Sequence, residues 1–75
     1  MDLKTATKVS SELLDIGTRL TEALRMIKEG CPEDEFKCYK LAINTAKASI
    51  YIEVLDPIFR QHPSLEPPYL KREPH

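Results

Sequence analysis

The stretch DEFKCYKLAINTAKASIYIEVL, running from Asp34 to Leu55, decides the fold. On a helix, residues three and four apart share a face, so Phe36, Tyr39, Ile43, Ala46, Ile50 and Val54 form one stripe, widened by Ala42 and Ser49. A second row, Cys38, Leu41, Thr45, Ala48, Ile52 and Leu55, keeps the same spacing on a neighbouring face. A helix that is apolar over so much of its circumference is buried on more than one side. Only Lys37, Lys40, Asn44, Lys47 and Tyr51 remain for a narrow polar stripe. The small centre, Ala42, Ala46, Ala48 and Ser49, lets neighbouring backbones approach towards the short end of the roughly 8–10 Å interaxial range. The pattern predicts that the first row faces another helix of the same chain. The second row, with Leu41, Thr45, Ala48, Ile52 and Leu55 as interface candidates, faces a second chain.

Outward from this stretch, the N-terminal half has a more regular seam. Ala6, Val9, Leu13, Ile16, Leu20, Ala23 and Ile27 alternate by three and four, with Leu24 broadening the row. Asp2 is placed to cap the opening turn. Gly17 costs on the order of 1 kcal/mol relative to alanine inside a helix, so it marks either a close contact or a tolerated glycine. Lys8 with Glu12, Asp15 with Arg19, and Arg25 with Glu29 are opposite charges four apart on the outer face. Arg25 and Lys28 suit the last turn, and Gly30 supplies the stop. Pro32 suits the first position of the next helix, and Glu33, Asp34 and Glu35 suit its positive end. Helices over residues 3–29 and 32–55 are thus joined by a very short connection, which predicts an antiparallel helical hairpin with arms of roughly 38 Å.

Pro57 lacks an N–H donor and its ring collides with the carbonyl four residues back, so the second helix must stop or kink there. Asp56 as a cap and Pro57 as a first position predict a short terminal turn over 57–61. From Pro63 onward, Pro67, Pro68 and Pro74 predict an extended proline-rich tail, 63–75, with Leu65, Tyr69 and Leu70 as its only anchors. Residues 1–62 form the expected domain.

At 75 residues the chain is in the range where one core is barely sufficient and oligomerisation often helps. Charged residues make up 31% and the net charge is −1, which argues against a general polyanion binder. Two cysteines are too few for a disulfide framework, and the N-terminus has no signal-peptide pattern, so a cytoplasmic protein with free thiols is expected. No apolar run approaches the ~20 residues that cross a bilayer. Cys31 and Cys38 lack paired zinc spacing and a nearby histidine. His62 has no neighbouring serine, cysteine or carboxylate to make it a general base, and reads as the flank of a helix end. His75 carries no signal. Glu53 marks the opening of the hairpin to solvent or a pair across an interface, the first reading being preferred. No catalytic residue, cofactor or metal is expected.

Ser11, Glu12, Leu13, Leu14 and Asp15 resemble the Ser-Gln-Glu-Leu-Asp motif of the helical-hairpin aspartyl-phosphate phosphatases of sporulation signalling. The likeness covers five residues, departs at both positions after the serine, and sits on the first helix, whereas that family carries the motif on its second. It would imply an accessory of phosphorelay signalling; ordinary helix surface is the preferred reading. The lysine stripe of the second helix is similar, in architecture alone, to small plasmid regulators that bind RNA hairpins through a dimeric four-helix bundle. It would make Lys37, Lys40, Asn44, Lys47 and Tyr51 the RNA contacts through phosphate-directed cations. Pro67, Pro68 and Tyr69 match neither the spaced proline pair of SH3 ligands nor the WW pattern.

The resulting expectation is an all-α hairpin that dimerises into a four-helix bundle. Its function is that of a small non-enzymatic adaptor or regulator acting through a helical surface, with an RNA-binding regulator as the alternative.

Overall fold

Asp2 starts the first helix in the way its position predicts. Its backbone is extended and its Oδ1 accepts from the Thr5 N–H at 2.8 Å. The computed structural model describes residues 1–70, apart from the side chain of Leu70, and contains no strand among them. Two long helices, α1 over Leu3–Gly30 and α2 over Glu33–Ser49, pack against each other across a connector of Cys31 and Pro32. No helix among the described residues is long and apolar enough to cross a membrane.

The connector works differently from the glycine stop suggested by the sequence. Gly30 does not take a positive φ; it is the last helical residue, and Cys31 follows in the extended region at φ −129° and ψ 155°. Pro32 is the reason, because its ring disfavours the helical region for the residue before it. Pro32 is itself extended, so the first position of α2 belongs to Glu33, with Asp34 and Glu35 completing an acidic first turn.

The second helix does not run uniformly to Leu55. After Ser49 the chain widens into a π-helical segment, Ile50–Leu55, and continues without a break into α3, Asp56–Gln61. The N–H of Asp56 reaches the carbonyl of Tyr51, five residues back. Asp56 is not a cap: its backbone is helical, and its carboxylate pairs with Arg60 Nε at 3.0 Å. Pro57 sits in the first turn of α3, where a missing N–H matters least. A π turn accommodates one extra residue, which rotates the following side chains by about 100° relative to an unbroken α-helix.

That rotation explains where the core lies. Val54, expected to face inward, is 41% exposed, while its neighbour Leu55, expected at a chain interface, is only 3% exposed. Leu55 packs with Ala6, Ile58 and Phe59, and Val9, Leu13, Leu14, Ile50, Tyr51 and Leu65 border this cluster. Burying side chains of this size stabilises by about 1.5–3 kcal/mol each. The tilted ring of Tyr51 lies 6.4 Å from that of Phe59, centroid to centroid. The core therefore sits where the start of α1 meets the π segment and α3, far from the connector.

On α1 the inward face is displaced from the expected seam. Ser10 is buried, its hydroxyl donating to the Thr7 carbonyl at 3.2 Å, and Leu14 borders the core. Ile16, placed in the seam by its spacing, is 40% exposed. Toward the connector, Leu20, Ala23, Leu24, Ile27, Phe36 and Ile43 are only half-buried, and Lys28 Nζ lies 6.0 Å from the Phe36 ring centroid. Of the three expected charge pairs on α1, Asp15 does pair with Arg19 at 3.3 Å, but Arg25 pairs with Glu22 at 2.8 Å in place of Glu29, and Lys8 and Glu12 are not among the ion pairs of the described residues.

After α3, His62 is half-buried and its Nε2 donates to the Met1 carbonyl at 3.0 Å, tying the two ends of the domain together. Where the prolines predict an extended run, single 3-10 turns form over Pro63–Leu65 and Pro68–Leu70. Leu65 anchors on the core, whereas Tyr69 is exposed. The expectations for Pro74 and His75, and for Leu70 as an anchor, lie outside the described residues.

Candidate functional site

Two surfaces of α2 and the π segment stand out, one open to solvent and one facing α1, and they meet at Ala48 and Ile52. On the solvent side, Leu41, Thr45, Ala48 and Ile52 are all exposed and follow one another at spacings of four, three and four. Leu41 is 71% exposed and Ile52 61%. The Thr45 hydroxyl donates to the Leu41 carbonyl at 2.8 Å, so it bonds back to its own helix and adds little polarity to the strip. Four of the five expected interface residues thus share an open face. The fifth, Leu55, is in the core because the π turn carries it inward.

The polar stripe of α2 is divided. Lys37, Lys40 and Asn44 are exposed, and Lys37 Nζ lies 3.8 Å from Glu33. Lys47 and Tyr51 turn the other way: Tyr51 packs against Phe59, and Lys47 is half-buried, with Nζ donating to Thr21 Oγ1 at 2.8 Å. The reason lies in the helical period. The inward face of this arm runs through Phe36, Ile43, Lys47 and Ile50, a row adjacent to the one that apolarity alone selects. Tyr39 and Ala46, members of the expected inward stripe, are exposed.

Between the arms, this inward turn leaves a groove of about 460 Å³. Its walls are mainly apolar, with Leu13 and Leu14 on α1 opposite Ala48, Ile50, Ile52 and Leu55, and Tyr69 at the rim. Gly17 lines it on α1, and a Cβ built there meets nothing within 4 Å. Gly17 is therefore no close-contact glycine, and the missing side chain is part of the opening. Thr18, Thr21 and Lys47 furnish the polar end.

No family model, curated protein or solved structure matches this chain. Its surfaces have to be read on their own chemistry. Ser11 and Asp15, which carry the phosphatase-like resemblance, are exposed on α1, and the Asp15 carboxylate is engaged by Arg19. Cys31 and Cys38 are free thiols. No group of three or more His, Cys, Asp or Glu side chains able to hold a metal occurs among the described residues. Glu53 is exposed and accepts from the Ser49 hydroxyl at 2.9 Å, in keeping with the solvent-facing alternative.

Proposed function

We propose that this chain is a small non-enzymatic interaction protein whose two long helices form an antiparallel hairpin. Two such hairpins pair through the outward face of α2 into a four-helix bundle, which acts as an adaptor or regulator. The single observation that carries the reading is the strip Leu41, Thr45, Ala48 and Ile52: two large apolar side chains more than half exposed, with small residues between them. An alternation of large and small side chains suits knobs-into-holes packing against an identical helix, and the two-fold relation brings each strip onto its own copy. The chain has reason to seek such cover. Among the described residues only four apolar ones, Ala6, Leu55, Ile58 and Phe59, are buried, and the radius of gyration of 14.6 Å exceeds the roughly 11 Å expected of a compact 75-residue domain. A standard interface removes about 800 Å² from each partner.

Sedimentation equilibrium tests this directly. The native chain is expected to be a dimer at micromolar concentration, and Ile52→Asp or Leu41→Asp to leave folded monomers, since both side chains lie outside the core. A native chain that stays monomeric, or aspartate variants that stay dimeric, would overturn the assignment of this face.

A further inference from the structure

We infer that the groove between α1 and the Lys47–Leu55 arm is a binding site for a small aliphatic monocarboxylate of the fatty-acid type. The inference goes beyond the pairing of chains, and its groove borders the pairing strip, with which it shares Ala48 and Ile52.

Lys47 is the starting point. Of the described lysines it alone is not fully exposed, and it makes no ion pair among the described residues. Its ammonium has three donors and spends one on Thr21 Oγ1. The threonine hydroxyls beside it cannot serve as donors to a ligand. Thr21 donates its proton to the Gly17 carbonyl at 3.1 Å and Thr18 to the Leu14 carbonyl at 3.3 Å. The donors at the polar end therefore come from the cation alone, and its two unspent N–H groups and positive charge are best met by an anion.

The remainder of the groove sets the other half of the ligand. Its volume of about 460 Å³ is in the range of small-molecule sites, and apolar walls with few polar groups are their usual make-up. From Lys47 to Leu55 the arm advances about 12 Å, the reach of a medium-length alkyl chain. Gly17 keeps the path open, since it has no side chain of its own and a Cβ placed there would meet nothing within 4 Å. The carboxylate would lie at Lys47, with the chain running past Gly17 towards Leu55 and the Tyr69 rim.

Isothermal calorimetry on the full chain, with octanoate below its micelle-forming concentration, tests the proposal, with octanol and octylamine as probes of charge. Octanoate is expected to bind saturably, octanol about tenfold more weakly for want of the charge-assisted bond, and octylamine not measurably. Lys47→Met should erase the preference for octanoate over octanol. Gly17→Leu should block both, with helicity by circular dichroism showing that each variant is folded. Absence of saturable octanoate binding, or an undiminished octanoate preference in Lys47→Met, would overturn the site. Leu41 lies outside the groove, so Leu41→Asp separates the two readings: octanoate binding that survives in a monomer stands without the dimer, and a dimer that binds no octanoate stands without the site.

Discussion

Leu55 and Leu41 are the same residue in opposite surroundings, and truncating each to alanine tests the fold with its own internal control. Leu55 is 3% exposed at the junction of α1, the π segment and α3, whereas Leu41 is 71% exposed on α2. Removing a buried leucine side chain costs about 2–5 kcal/mol, the higher values applying where the surroundings cannot collapse into the void. A chain of 75 residues has a total stability of about 4–11 kcal/mol at the usual 0.05–0.15 per residue, so Leu55→Ala should remove a large part of it. Leu41→Ala gives up little buried area within its own chain and should stay within about 0.5 kcal/mol when the protein is dilute. Urea unfolding followed by circular dichroism measures both. Repeating it at higher protein concentration adds a second reading, because only a side chain covered by another copy acquires a concentration-dependent cost. Equal losses for the two variants at dilution, or a loss below about 1 kcal/mol for Leu55→Ala, would refute the placement of the core.

Two further outcomes follow from the helix geometry. Deleting Glu53, which is exposed, should convert the π segment to ordinary α-helix while keeping Leu55, Ile58 and Phe59 facing inward, so the variant should fold. Deleting Asn44 should swing everything after it by about 100° and abolish cooperative unfolding; equal tolerance of both deletions would contradict the register described. Acid titration of the native chain against Asp2→Ala tests the cap: hydrogen bonds from Thr5, side chain before backbone, hold the Asp2 carboxyl below its ordinary value of 3.8. A lowered folded-state value means the carboxylate's contribution is fully present above pH 3.8 and is lost as pH falls through the lowered value, so the gap between native and variant urea midpoints should narrow only in that acid window. A gap that stays constant through it would show that the ionised cap does not stabilise the fold.

The two long helices and the short connector were readable because each rests on local chemistry. Three-and-four spacing, the Asp2 carboxylate and the ring of Pro32 act within a turn or two of themselves. The rotation of α2 was not readable, because two adjacent apolar rows offer equally good faces and only the packing against α1 chooses between them. That choice moved Tyr39 outward and Lys47 inward, and so divided the lysine stripe. Ile58 and Phe59 are not legible as core for a related reason: Pro57 reads as an ending, yet a wide turn before it lets the helix continue and carries both side chains under α1. Gly17 was ambiguous on sequence grounds alone, since a glycine that admits a neighbour and one that leaves a gap look the same until the opposite wall is known.

The molecule is fastened at its ends and loose at its bend. His62 grips the first residue and Phe59 lies beneath the opening turns, whereas the connector tip is held by side chains that are only partly covered. Regions with few buried contacts open at the lowest free-energy cost. The tip can thus open while the clasp stays shut, so the two poles of one short chain differ in how readily they come apart.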